Sequence, residues 1–413
     1  MNRILTFFFS LVFSSAALAA PPNVLILLSD DQAYGDYSSM GHEQIRTPRI
    51  DQLAKEGVAF TRGYVPTSLC RSSLMTILSG QYPHQHLVTG NDPPKGTDRA
   101  EMLKHVRRVP MVPRILAEKG YACFQSGKWW EGNFKEGGFT AGMTHGDVSR
   151  GGRHGDEGLK IGRQGNQPVY DFLESRGDKP FFLWYAPMLP HQPHNPPERL
   201  LAKYRDKTES LHVAKYWAMC EWWDEQCGEL LDYLEKKGLA ENTLIVYLAD
   251  NGWIQDPASA KFAPRSKRTP YEGGIRTPIL LRWPAQLKPK REDTSLVSSI
   301  DLAPTILAAC GIEVPKEMAG VNLLEVASGK AKSPEAVFGE IYAHDVVDLD
   351  HAKPGLLYRW CIAEKWKLIL PKDGKPPELY DLSIDPAEKK NLADAQPERV
   401  KQLTKKIEDW WGK

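Results

Sequence analysis

Along the chain, short runs of apolar residues alternate with stretches in which apolar positions recur every three or four residues. Asn23–Leu28 (NVLILL) is almost wholly apolar, as a strand buried on both faces should be. Pro48–Gly57 opens on proline, closes on glycine and keeps Ile50, Leu53 and Ala54 on one face, which predicts a helix. Val58–Tyr64 then predicts a strand. Arg71–Ser79 predicts a helix, with Leu74, Ile77 and Leu78 at helical spacing. Val112–Lys119 reads as a helix closed by Gly120 and followed by the strand Tyr121–Gln125. Phe181–Ala186 and Thr243–Leu248 are two further strands, with a long helix over about Ser210–Lys237 between them, ending at Gly238. This alternation predicts an α/β fold: a mostly parallel central sheet flanked by helices.

The tail has a different rhythm. From about Ala336 come the short strands Val337–Tyr342, Tyr358–Ala363 and Trp366–Leu370, then a helix from about Pro397 to Trp411. The expected division is a main α/β domain over 20–335 and a small C-terminal α+β subdomain over 336–413. Between Gly132 and Asn166 the chain is rich in Gly, Arg and His with little apolar periodicity, which suggests a long surface loop.

The N-terminus falls outside both units. Met1-Asn2-Arg3 is followed by the mainly apolar Ile4–Ala17 and by Ala17-Leu18-Ala19, the pattern of a secretory signal peptide over 1–19. Export would place the protein in the periplasm or outside the cell. No later run is long and apolar enough to span a bilayer, so no stable membrane insertion is expected.

Composition adds exclusions. The 413 residues carry 53 Lys+Arg and 52 Asp+Glu, with 41% hydrophobic and 25% charged residues. That is the profile of a globular chain, and the near balance of charge argues against nucleic-acid binding. Six cysteines are sparse, and none has the spacing of a zinc site. Cys220 and Cys227, seven apart on a helix, would sit about 10 Å apart, beyond disulfide reach.

In open α/β sheets function collects at the carboxyl ends of strands. Asp30 and Asp31 follow the first strand, and Asp250 and Asn251 follow another. If those strands are neighbours, the four side chains form an oxygen-rich cluster suited to Ca²⁺ or Mg²⁺. Either pair alone could instead cap the segment after it. Cys70 stands at the start of a predicted helix, where the helix field favours an anionic thiolate; by position alone it could equally be a buried structural cysteine. Lys128 follows a strand, His191 lies beyond another, and Lys267 sits in a polar loop before Glu272-Gly273-Gly274. Metal ligands, a nucleophile position, two cations and an imidazole together suit hydrolysis of an anionic ester.

The segments NVLILLSDDQAYGD, TPRIDQLAKEGVAFTRGY, SLCRSSLMTILSGQYPHQH, GKWW, LPHQP, LADNGW, YEGGIRTP and ELYDLSIDPAEKKNL resemble, in order and spacing, the type I sulfatases of the alkaline-phosphatase-like superfamily. The resemblance covers nearly the whole chain after residue 19. It implies that a formylglycine-generating enzyme oxidises Cys70 to formylglycine (3-oxoalanine). It further implies that Asp30, Asp31, Asp250, Asn251 and the modified Cys70 bind one Ca²⁺, and that Lys128, His191 and Lys267 hold the sulfate of a small-molecule or glycan substrate. Two positions depart from the family pattern Cys-x-Pro/Ala-Ser-Arg: Cys70-Arg71-Ser72-Ser73-Leu74 has Ser72 and Leu74 in place of Pro/Ala and Arg. Trp130 stands where the family often has His. Arg71 is nearby in the sequence but is not at the arginine position of that pattern.

The expected activity is that of an exported sulfuric ester hydrolase acting on sulfated carbohydrate or aryl sulfate. The alternatives are a phosphodiester or phosphonate ester hydrolase of the same superfamily and a non-catalytic Ca²⁺-dependent binder of sulfated glycans.

Overall fold

A computed structural model describes residues 20–147, 149 and 156–412; the signal-peptide reading lies outside these. The main sheet contains β1 (Asn23–Ser29), β2 (Val58–Tyr64), β3 (Ala122–Gly127), β4 (Ala141–Gly142), β5 (Phe181–Ala186), β6 (Thr243–Ala249), β7 (Arg276–Arg282), β8 (Lys290–Glu292) and β9 (Val297–Ser298). Their order is β4-β3-β5-β1-β6-β7-β2-β8, with β9 also paired to β2. The run β4-β3-β5-β1-β6 is parallel throughout. The carboxyl ends of β1, β3, β5 and β6 therefore share one edge of the sheet.

Apolar side chains alternate across β1, and each face has its own core. Val24, Ile26 and Leu28 pack with Leu74, Ile77 and Leu78 on one side. Leu25 and Leu27 pack with Met219, Trp223 and Leu230 of the long helix Leu211–Lys236 on the other. That helix starts where the Ser210 hydroxyl accepts from the Val213 N–H.

Two differences from the sequence reading have physical causes. Strand β7 is absent from it because Pro278 lies mid-run, where a proline argues against a central strand. The pairing register of β2 and β7 shifts between Phe60↔Ile279 and Gly63↔Thr277, around that proline, so an irregularity absorbs it. The segment after Gly132 is not the expected surface loop in its described part. Phe134 and Phe139 enter one core and Ile161 the other, while Thr144 is held by Gln125 and by the carbonyl of Gly127.

The tail forms a four-stranded antiparallel sheet of β10 (Ala336–Tyr342), β11 (Leu356–Ala363), β12 (Trp366–Pro371) and β13 (Glu378–Asp381). Helix Pro397–Trp411 covers one face through Leu403, Ile407 and Trp410. The other face packs Val337, Ile341 and Trp360 against Tyr64, Val65 and Ile275 of the main unit. Among the described residues no helix is long and apolar enough to cross a membrane.

Candidate active site

Helix Cys70–Ser79 is the floor of the site, and all ten of its residues are buried. Its polar side chains have to find partners there. Ser73 Oγ donates to the carbonyl of Asp250 at 2.5 Å, Ser79 Oγ to that of Met75, and Thr76 pairs with His86. Arg71 makes a buried two-pronged ion pair with Glu131, at 2.7 and 2.5 Å, and donates to the carbonyl of Gly90. Its guanidinium is thus committed away from Cys70. Leu74 fills the core beside Ile77 and Leu78. Gly80, with φ +63°, ends the helix.

The strand ends bring the chemistry together. Ligand atoms of Asp30, Asp31, Cys70 and His191 all lie within 4.8 Å of one another. Asp31 N–H donates to Asp250 Oδ1 at 3.1 Å, and Asn251 Nδ2 to Asp31 Oδ1 at 2.7 Å. Lys128 Nζ sits 2.5 Å from Asp30 Oδ1 and 3.2 Å from Asp250 Oδ2. Lys267 Nζ lies 2.6 Å from Asp31 Oδ1, and His191 Nε2 lies 3.4 Å from Asp31 Oδ2. All eight candidate residues thus meet in one cluster.

Two glycines make this approach possible. A Cβ on Gly127, which has φ +78°, would lie 2.0 Å from the carbonyl oxygen of Ala186. Only glycine lets β3 end so close to β5 and turn Lys128 into the site. A Cβ on Gly252 would lie 2.2 Å from the carbonyl of Gly273. Its N–H instead donates to Gly274 O at 2.8 Å, which fastens the Asp250-Asn251 turn to Glu272-Gly273-Gly274.

The electrostatics follow from burial and proximity. Burial acts first to raise the Asp31 carboxyl, but Lys267, His191 and Lys128 outweigh it and hold Asp31 well below the usual range. Burial, helped by neighbouring carboxylates, raises Asp30 and carries Asp250 up to about 6 against the pull of Lys128. Burial opposes charge on Lys128 and Lys267 too, yet the adjacent carboxylates keep both firmly protonated. His191 is pushed down to about 4 by burial and by the two lysines, against the pull of Asp31. Burial pushes the Cys70 thiol up to about 12, which sides with the buried cysteine over the helix-terminus thiolate: dehydration costs more than one helix end returns.

The residues suit a hard cation. Three carboxylates face two ammonium groups, and the buried acceptors Asp30 Oδ2 and Asn251 Oδ1 have no hydrogen-bond partner. An oxygen donor set of this kind fits Ca²⁺.

Above the cluster opens a pocket of about 210 Å³ lined by Cys70, Asn91, Trp130, His191, Gln192, Trp253, Lys261, Phe262, Lys267, Arg268 and His344. Trp130 and Trp253 wall it, their ring centroids 5.4 Å from Lys128 Nζ and 5.6 Å from Lys267 Nζ. A second cavity of about 550 Å³ shares His191 and Gln192 and adds His194, His212 and Lys215. Asn91, Lys261, Arg268 and His344 escaped the sequence reading. Arg268 adjoins Lys267, and Trp253 lies inside LADNGW, so both had a signal nearby. His344 had none: it arrives from the loop after β10, where its carbonyl accepts from Asn91 N–H at 2.8 Å.

Comparison with known proteins defines the class. The sulfatase family model matches residues 22–312, and a model of the N-sulphoglucosamine sulphohydrolase C-terminal region matches 262–411. The chain belongs to the sulfatase family, whose members are sulfuric ester hydrolases. It is 28% identical to human arylsulfatase A over 94% of this chain and 87% of that protein. It is 24% identical to an N-acetylgalactosamine-6-O-sulfatase of Bacteroides thetaiotaomicron over 94% and 92%. Among solved structures, Ps i-CgsB in complex with k-i-k-neocarrahexaose superposes with a TM-score of 0.76 at 22% identity, covering 94% of this chain and 92% of that one. A phosphonate monoester hydrolase from Silicibacter pomeroyi gives 0.70 at 19%, covering 94% of each. These structures share the alkaline-phosphatase-like fold.

Proposed function

We propose that this sulfatase is exported by way of residues 1–19 and removes sulfate from a sulfated carbohydrate, using Cys70 as the site of its nucleophile. The observation that carries the reading is the convergence of Asp30, Asp31, Cys70 and His191 within 4.8 Å, beneath a pocket that also contains Lys267.

Asp30, Asp31, Asp250 and Asn251 would hold one Ca²⁺ beside Cys70. Such an ion offsets carboxylate repulsion and polarises an oxygen nucleophile. A thiol raised to about 12 is protonated near neutrality and attacks poorly, so the nucleophile would instead be a formylglycine made from Cys70 by a formylglycine-generating enzyme. Lys128 and Lys267 are fixed cations aimed at the sulfate oxygens, so they stabilise charge that builds as the ester bond breaks, without reorganising. His191, partly exposed beside Asp31, is placed to pass a proton to the leaving alcohol once the bound anionic ester raises its pKa from about 4. Trp130 and Trp253 line the pocket and would give a sugar ring an apolar wall.

The test is release of inorganic sulfate from a panel of sulfated oligosaccharides and from 4-nitrocatechol sulfate, beside release of phenol from an aryl phosphodiester and an aryl phosphonate. The reading predicts sulfate release with kcat/KM well above that for either phosphorus ester. Preference for a phosphorus ester, or Ca²⁺-dependent glycan binding without turnover, contradicts it.

A further inference from the structure

The pocket over Cys70 has an uneven charge. Its lining includes three cations, Lys261, Lys267 and Arg268, and two imidazoles, His191 and His344, but no carboxylate. Lys267 is neutralised by Asp31 at 2.6 Å. Lys261 and Arg268 are different. Both are exposed, and among the described residues neither side chain has a hydrogen-bonding, ionic or aromatic partner.

The backbone holds Arg268 in place at a cost. Its φ is +67°, a left-handed conformation that disfavours a side chain with a Cβ. The turn is nonetheless pinned: Arg268 N–H donates to both the carbonyl and the hydroxyl of Ser68 at 2.9 Å, two residues before Cys70. Arg265, at φ +58° in the same loop, explains itself by packing on Tyr271 at 4.5 Å and donating to the Glu388 carbonyl. Arg268 makes no such contact and instead lines the pocket. Lys267 and Arg268 are thus consecutive residues with divided duties, one ammonium facing inward to Asp31 and one guanidinium at the rim.

We propose that Arg268 and Lys261 bind a second anionic group of the substrate, a sulfate or carboxylate near the scissile sulfate ester, and so select polyanionic over singly charged substrates. This rests on the pocket reading above. A guanidinium offers two parallel N–H donors to a planar or tetrahedral oxyanion, and the absence of any lining carboxylate leaves that charge available. Neither residue belongs to the cluster around Cys70 proposed to meet the scissile ester, so both act as specificity residues.

The test uses the Ca²⁺-loaded protein and small non-hydrolysable probes: benzenesulfonate and the 1,2-, 1,3- and 1,4-benzenedisulfonates, measured by calorimetry. The wild type should bind the best disulfonate about tenfold tighter than benzenesulfonate, with the advantage shrinking as salt rises. The double variant Arg268→Gln/Lys261→Gln should lose that advantage and keep benzenesulfonate affinity within about twofold. Equal wild-type binding of mono- and disulfonates, or an advantage that survives the double substitution, overturns this inference alone. Failure of benzenesulfonate to bind at all, with no sulfate-ester turnover, refutes the pocket reading and this inference with it. Both residues are exposed, so loss of fold does not complicate the result.

Discussion

At the scale of residues, the two lysines of the site pair with different carboxylates, Lys128 with Asp30 and Asp250 and Lys267 with Asp31, and their loss should show in turnover. Lys267→Ala removes a buried cation 2.6 Å from Asp31 and leaves that carboxylate short of charge. The expected loss in kcat is about 10²–10³-fold, whereas Lys401→Ala on the exposed face of the last helix should leave kcat unchanged; equal effects would contradict the assignment. His86 makes a prediction about acid stability. Burial, and after it the charges of His84, Arg71 and His105, hold its pKa well below the ordinary 6.5, so the folded protein keeps it neutral. Its stabilising contribution is fully present above pH 6.5 and is lost as pH falls below that value, by up to about 1.4 kcal/mol per pH unit. His86→Asn can still accept the Val88 N–H that Nδ1 accepts. It should flatten the fall in urea midpoint between pH 6.5 and 5; an unchanged slope would show that His86 does not set it.

Among the elements, a buried ion triad ties the tail to the catalytic edge. Lys367 on β12 is fully buried, 3.2 Å from Glu272 and 2.7 Å from Glu388, and Glu388 also accepts from the Glu272 N–H. Glu272 opens the Gly273-Gly274 turn that holds Gly252. Lys367→Met should leave two buried carboxylates unpaired and destabilise the fold by about 3–5 kcal/mol, read as a drop in chemical-denaturation midpoint. A loss under about 1 kcal/mol would mean that water reaches the triad. This junction also marks the limit of what sequence reveals. Strands β1, β5 and β6 were legible because burial on both faces leaves unbroken apolar runs, and their parallel pairing put Asp30, Asp31, Asp250 and Asn251 on one edge. The place of His344 was not legible, since it depends on how the tail sheet docks. The state of the Cys70 thiol stayed open for a related reason: local position at a helix start is visible in sequence, but the depth of burial is not.

For the whole molecule, a cation in the cluster should link binding to folding. The proposed ligands come from two strand ends, β1 (Asp30, Asp31) and β6 (Asp250, Asn251), and from the helix start at Cys70, so unfolding scatters the site. Added Ca²⁺ should raise Tm, by an amount equivalent to about 2.7 kcal/mol at a free concentration 100 times Kd. Asp250→Ala should abolish the rise, and a rise that persists would place the ion elsewhere. Sulfate-ester hydrolysis should proceed at Cys70. Its most direct test is the initial rate of sulfate release from 4-nitrocatechol sulfate by protein purified from its native host, with Ca²⁺ present, for the wild type and for Cys70→Ala side by side. The account predicts steady turnover by the wild type and none above background by the variant; hydrolysis by Cys70→Ala at the wild-type rate would contradict it.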